Sequence, residues 1–162
     1  MKKTSIKTAF TLQLGIALLL SCNVSAQTSK NSSDTLFPKG NRTPSEYFTG
    51  TAWLQPLVAD DTTFNSMIGS VTFEPGARSN WHTHPAGQIL IVIEGRGYTQ
   101  ERGKSIQVIH KGDVIKCLPN AEHWHGATPT RSMTHMAINP NTEKGIVTWL
   151  QKVTDLEYLN IK

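Results

Sequence analysis

The chain has 162 residues, 38% of them hydrophobic and 17% charged, and 16 Lys and Arg against 12 Asp and Glu give it a net charge of +4. Much of that excess belongs to the first 26 residues: without Lys2, Lys3 and Lys7 the balance is 13 basic against 12 acidic residues, a net of +1. No cluster of Lys and Arg survives that would argue for nucleic acid or an anionic membrane as a partner.

Residues 1–26 have the order of a signal peptide. Met1 to Lys7 form a basic start, an apolar run closes at Ala17–Leu20, and Val24-Ser25-Ala26 supplies the small residues a signal peptidase needs, so the mature chain is expected to begin at Gln27. That reading makes the protein exported, soluble and periplasmic. A second reading takes Leu19-Leu20-Ser21-Cys22 as a lipidation box that would tether the chain to a membrane through Cys22. The apolar run is too short for a membrane span and is broken by Thr11, Gln13 and Gly15. In the mature chain Cys117 is the only cysteine, which excludes an intramolecular disulfide and suits a buried strand residue.

Residues 27–45 are polar, punctuated by Pro38, Gly40 and Pro44, and read as a flexible leader to a domain over 46–162. Nine short strands follow, over 50–58, 67–74, 77–84, 88–94, 97–101, 106–110, 113–118, 123–127 and 132–139, with turn signals between them. That rhythm predicts an all-β closed barrel or sandwich. The tail from Thr142 to Leu159 suits one or two short helices packed on the outside.

The chemistry concentrates in two stretches. His82 and His84 are one residue apart, so on an extended strand both imidazoles face the same way, with Trp81 and Thr83 opposite. If the bend at Pro85-Ala86-Gly87 folds the next strand back, the amide oxygen of Gln88 joins them. His123 follows a later turn, at which Asn120 can take the left-handed backbone. Three imidazoles and an amide oxygen suit Mn, Fe, Co, Ni or Zn and leave positions open for water or substrate. The set is neutral, so a bound ion keeps its full dipositive charge. His110 sits at a turn and Glu94 at the far end of its strand, and neither is assigned to the site. His125 shares the face of His123, as a candidate to line the pocket or orient a ligand, and alternation puts Met133, His135, Ala137 and Asn139 on one face of the last long strand.

The spacing Gly76, His82, His84, Gln88, Gly95, followed by Gly112 and His123 eleven residues later, resembles the two-part signature of the cupin superfamily. Gln88 stands where most members have Glu, Pro119 falls one place late, and Asn120 replaces a glycine. The resemblance, traceable from about Tyr47 to Tyr158, implies a double-sheet jelly roll with Greek-key links. More closely, Phe73–Arg78, Trp81–Gln88, His123–Ala127 and Met133–Ile138 look like the manganese-dependent cupin hydroxynitrile lyases. That likeness implies manganese at His82, His84, Gln88 and His123, and a small hydroxy or carbonyl substrate. It further implies pocket positions at Gly69, Val71, His125 and Asn139, and leaves His135 as either the base in cleavage of a cyanohydrin or a core histidine bonded to backbone. Two other classes stand beside it: a quercetinase-like dioxygenase, whose ligand Glu serves as a base where Gln88 cannot, and a non-catalytic module that holds metal and ligand. The outward Trp81 and Trp124 need cover, and a second subunit in a homodimer, as cupins commonly form, would supply it.

Overall fold

A computed structural model describes residues 35–161, so the signal-peptide reading of 1–26 and the first part of the leader lie outside the described residues. The strands are β1 (Asn41–Arg42), β2 (Phe48–Thr49), β3 (Ala52–Val58), β4 (Ser66–Phe73), β5 (Arg78–Ser79), β6 (His82–Thr83), β7 (Gln88–Glu101), β8 (Gln107–His110), β9 (Val114–Cys117), β10 (His123–Ala127), β11 (Met133–Pro140) and β12 (Thr148–Trp149). A single 3-10 turn at Thr142–Lys144 and one short helix, α1 (Asp155–Leu159), complete the described fold.

The strands run in the order β1-β3-β4-β11-β7-β10-β5-β2, with β8 and β9 added to β7, β6 to β10 and β12 to β6. This is the curled antiparallel double sheet expected from the sequence. Its pivot is β7, which merges two of the expected strands. The first half of β7 pairs with β9 and β11, and the second half with β8 and β10. One strand can serve both sheets because it bends at Gly95, whose φ of 76° lies in the left-handed region. Two residues on, a side chain at Gly97 would run into Met133 Sδ and the carbonyl of Gly126.

Alternation along the strands builds two cores. Between the sheets, Val71, Phe73, Leu90, Val92, Ile109, Met133 and Ala137 pack together. A second cluster, Trp81, Tyr98, Ile106, Trp124, Val153 and Tyr158, lies outside one sheet. The tryptophans point away from the histidines, and the chain's own tail covers them, leaving Trp81 2% and Trp124 0% exposed.

The tail also differs from expectation before its helix. Residues 147–153 are not helical: Thr148 and Trp149 pair with Thr83 and His82 as an added strand. Only Asp155–Leu159 is helical, opened by a capping box between Thr154 and Glu157. A five-residue helix has little stability of its own, and tertiary contacts hold it. Buried Arg78 donates from Nε and Nη2 to the carbonyl of Val153 at 3.3 and 3.0 Å and from Nη2 to Asp155 Oδ1 at 2.5 Å, with its guanidinium 4.5 Å from the centre of the Tyr158 ring. The Tyr158 hydroxyl donates to the carbonyl of Ala127 at 2.8 Å. In the leader, Asn41 and Arg42 pair with Leu54 and Trp53 of β3. Among the described residues no helix is long and apolar enough to cross a membrane.

Removing the Tyr158 hydroxyl leaves a buried carbonyl without its donor, so Tyr158→Phe should lower the unfolding free energy by about 1–3 kcal/mol. Leu156→Ala, at a side chain 83% exposed, should change it by less than about 0.5 kcal/mol. Urea unfolding of the two variants checks the contrast, and equal effects would mean that the tail is not held as described.

Candidate functional site

The bend in β7 returns the chain to the mouth of the barrel at both its ends, and five histidines gather there. His82, His84, His123, His125 and His135 are all buried, at 5% exposure or less. The His82 and His123 ring centres are 4.3 Å apart, His82 lies 5.1 Å from both His84 and His125, and His125 lies 4.6 Å from His135.

Three of these rings share one hydrogen-bond pattern. Nδ1 of His82 meets the carbonyl of Asn80 at 2.9 Å, Nδ1 of His84 that of Ile146 at 2.5 Å, and Nδ1 of His123 that of Ala121 at 3.0 Å. A carbonyl only accepts, so each Nδ1 must carry the proton and each Nε2 presents a lone pair. Nε2 of His84 is buried with no hydrogen-bond partner. Gln88 is held similarly: its Nε2 donates to Asn139 Oδ1 at 3.0 Å, which turns its Oε1 to within 3.4 Å of His123 Nε2. By distance alone, His82, His123 and His125 offer ligand atoms within 4.8 Å of one another, a group of three that can hold a metal ion.

His125 and His135 form a separate pair. His135 Nε2 and His125 Nδ1 are 3.0 Å apart, so one donates to the other, while His125 Nε2 and His135 Nδ1 are buried without partners. Phe73 packs against both rings, at 5.7 and 5.5 Å. The backbone N–H of His125 donates to Ser79 Oγ.

Burial keeps all five imidazoles neutral, because a charged ring there gives up its hydration. It drives His82 and His125 well below the ordinary histidine value, and neighbouring rings push the same way: chiefly His123 on His82, and His135 on His125. His84 and His135 fall to about 4 through burial. His123 is also lowered by burial, against the opposing pull of its bond to Ala121 and of the Glu101 carboxylate.

A cavity of about 110 Å³ opens onto this cluster, lined by His82, His84, Gln88 and His125 on one side and by Phe48, Leu54, Met67, Gly69, Val71, Ala137, Asn139, Ile146, Val147 and Trp149 on the other. Gly69, Val71, His125 and Asn139 are among the residues that line the cavity. At Gly69 a β-carbon would come within 2.8 Å of Leu54 Cδ1, so the missing side chain leaves room there. His135, expected as the base, is not among the lining residues; it is 0% exposed and sits behind His125.

Sequence reasoning missed Ile146, Val147 and Trp149. Trp149 stacks on Tyr47 with ring centres 4.8 Å apart and lies 5.0 Å from His82. The signal was present in Ile146-Val147-Thr148-Trp149, a β-branched and aromatic run just after a glycine, which reads as a strand more readily than as a helix.

Comparison with known proteins adds the following. Residues 69–149 match the family model described as a cupin domain. Over 115 residues, 71% of this chain and 88% of the relative, the sequence is 47% identical to a protein of Granulicella tundricola named (R)-mandelonitrile lyase. Among solved structures, a cupin-like protein from Thermotoga maritima MSB8 is 46% identical, with a TM-score of 0.76 over 77% of this chain and 95% of that one. A predicted oxalate decarboxylase from Thermotoga maritima, 18% identical with a TM-score of 0.56 over 68% of this chain and 91% of that one, shares the fold alone.

Five buried neutral imidazoles make the metal-free protein sensitive to acid. Each has a folded-state pKa below 6.5, so the unfolded chain binds protons that the folded chain refuses. Stability is complete above 6.5 and is lost as pH falls through about 4. His135 alone accounts for about 3 kcal/mol across that window. Urea unfolding of chelator-treated protein should show its midpoint falling from pH 6.5 downwards; a flat midpoint would mean that the rings are open to solvent.

Proposed function

Because the chain belongs to the cupin family, we propose that it is an exported metal-dependent carbon–carbon lyase that splits a cyanohydrin into a carbonyl compound and hydrogen cyanide. The observation that carries the reading is the 47% identity to a mandelonitrile lyase, joined to the neutral nitrogen and oxygen donors His82, His84 and Gln88 in the lining of an apolar cavity. The order of residues 1–26, basic then apolar then small, supports export.

Two ligand sets fit a metal ion. The distance-based set is His82, His123 and His125. We favour His82, His84, His123 and Gln88, because each of those three histidines has its Nδ1 proton tied to a carbonyl and its Nε2 lone pair free. His125 Nδ1 instead meets a ring nitrogen of His135, which can donate or accept, so no carbonyl fixes its tautomer. Manganese is the ion of choice by family resemblance, and the donors also accommodate Fe, Co, Ni and Zn. Such an ion would supply Lewis-acid stabilisation of the negative charge that develops on the substrate oxygen.

The rest of the chemistry belongs to side chains. His125, at the cavity wall, takes the hydroxyl proton of the substrate, and His135 behind it holds the ring in the productive tautomer and shares the charge. The electron pair of the C–CN bond leaves with the cyanide, and the carbonyl forms at the oxygen. The proton on the histidine pair then goes to cyanide, which balances the reaction. Gly69 and Val71 leave space for the substituent of a hydroxy or carbonyl substrate, and Asn139 acts through Gln88.

Manganese analysis of the purified protein, with mandelonitrile cleavage followed by cyanide release, tests this. Chelation should abolish release. His135→Ala and His125→Ala should each lower kcat by about 100-fold or more with metal retained, whereas His84→Ala should release the metal. Unchanged turnover in chelated protein and in both proton-handling variants would refute the lyase reading, and loss of metal from His125→Ala but not from His84→Ala would favour the distance-based set.

A further inference from the structure

The apolar cavity is not the only opening beside the histidines. A second cavity of about 190 Å³ shares no lining residue with it. Thr99, Cys117 and His123, all buried, form its inner wall, and Glu101, Lys104 and Lys116 stand nearer the solvent. The register of β7 explains why these residues meet. Gln88, at one end, is paired with Cys117, and Glu101, at the other end, is paired with His123. Paired residues project to the same face of a sheet, so thiol, carboxylate and imidazole stand together at the edge of the cluster. From His123 Nε2 it is 3.4 Å to Gln88 Oε1.

We propose that this polar cavity is the route by which a divalent metal ion reaches the histidine cluster, with Glu101 as its first anchoring group and Cys117 and His123 as the inner donors. The inference rests on the metal reading above. A hydrated dication must exchange its water ligands one by one, and walls such as Leu54, Val71, Ala137 and Val147 offer nothing in return. The second cavity offers an oxygen, a sulfur and a nitrogen in succession. Glu101 lines the same cavity as the inner donors and is the cross-strand partner of His123. In the described state its Oε2 accepts from Lys104 Nζ at 2.8 Å, a half-exposed pair that an arriving cation can displace. Lys116 opposes the same cation from across the opening.

Because a charged opening sets the local concentration of an ion, changes at the rim should have opposite signs. The test is stopped-flow uptake of Co²⁺ by chelator-stripped full-length protein, read by visible absorption, with the dissociation constant measured separately. Glu101→Gln should slow uptake about tenfold, at the low end of the effects known for charge-focused clefts. Lys116→Glu should speed it, and Val71→Phe, which fills the apolar cavity, should leave it unchanged. Slower uptake in Val71→Phe with normal uptake in Glu101→Gln would overturn the route. So would a Glu101→Gln variant with altered dissociation constant but unaltered uptake, since Glu101 would then act only on His123. No uptake by the unaltered protein would instead overturn the metal reading, and this route with it.

Discussion

A peptide carbonyl accepts hydrogen bonds and cannot donate them. Three of them, on Asn80, Ala121 and Ile146, therefore dictate where the protons of His82, His123 and His84 sit. Much of the site follows from that constraint. With Nδ1 protonated and charge forbidden by burial, each ring has one lone pair left, on Nε2. The amide of Gln88 obeys the same logic through Asn139. Four groups that would otherwise be free to rotate or to exchange tautomers are each held in a single form that presents a lone pair.

The carbonyls are supplied by the scaffold in different ways, and this ties the site to the rest of the chain. Asn80 and Ala121 each lie two residues before the histidine they orient, so their geometry is local. Ile146 lies 62 residues from His84 and belongs to the tail. The tail in turn is fixed by β12 on β6 and, beyond it, by Arg78 on Val153 and Tyr158 on Ala127. The second core under the tryptophans is thus more than a patch over an apolar sheet. It anchors the segment whose carbonyl fixes one of the site histidines and whose side chains Val147 and Trp149 wall the cavity.

The features that sequence made legible are those with a short period or a short reach. His82 and His84 on one face, Gln88 after the bend, and the alternation that buries Met133, His135, Ala137 and Asn139 all follow from the pleat of a strand. The glycines that bend β7 are visible too, although Gly95 and Gly97 suit a break between two strands as well as a kink within one. Legibility failed where a partner arrives from far along the chain. Trp81 and Trp124 were rightly turned outward, but pattern alone does not say whether Val153 and Tyr158 or another molecule will cover them. Parity likewise put His135 on the inner face without ordering it behind His125, because that depends on how β11 and β10 lie across the barrel. The pairing of Glu101 with His123 was invisible for the same reason, and the tail misled because its apolar spacing is compatible with both a helix and a strand.

The substitution of Gln for Glu at position 88 has a consequence for the whole cluster. A carboxylate there would be a buried negative charge beside His123, and it would pull nearby imidazoles toward their protonated forms. Gln88 adds no such pull, and burial outweighs the raising effect of the carbonyl bonds and of Glu101, so all five rings stay neutral together. The price of this neutrality is the absence of any base among the ligands. In the proposed lyase reaction, proton transfer would then fall to a group outside the set but at the cavity wall, where His125 stands. With His135 at 3.0 Å, the pair can spread a positive charge over two rings at the moment it forms, in a site that gives a lone imidazolium no solvent to stabilise it. Under that proposal Gln88 and the histidine pair would be one arrangement: the first would keep negative charge out of the ligand set, and the second would provide the proton acceptor that a carboxylate would otherwise have been.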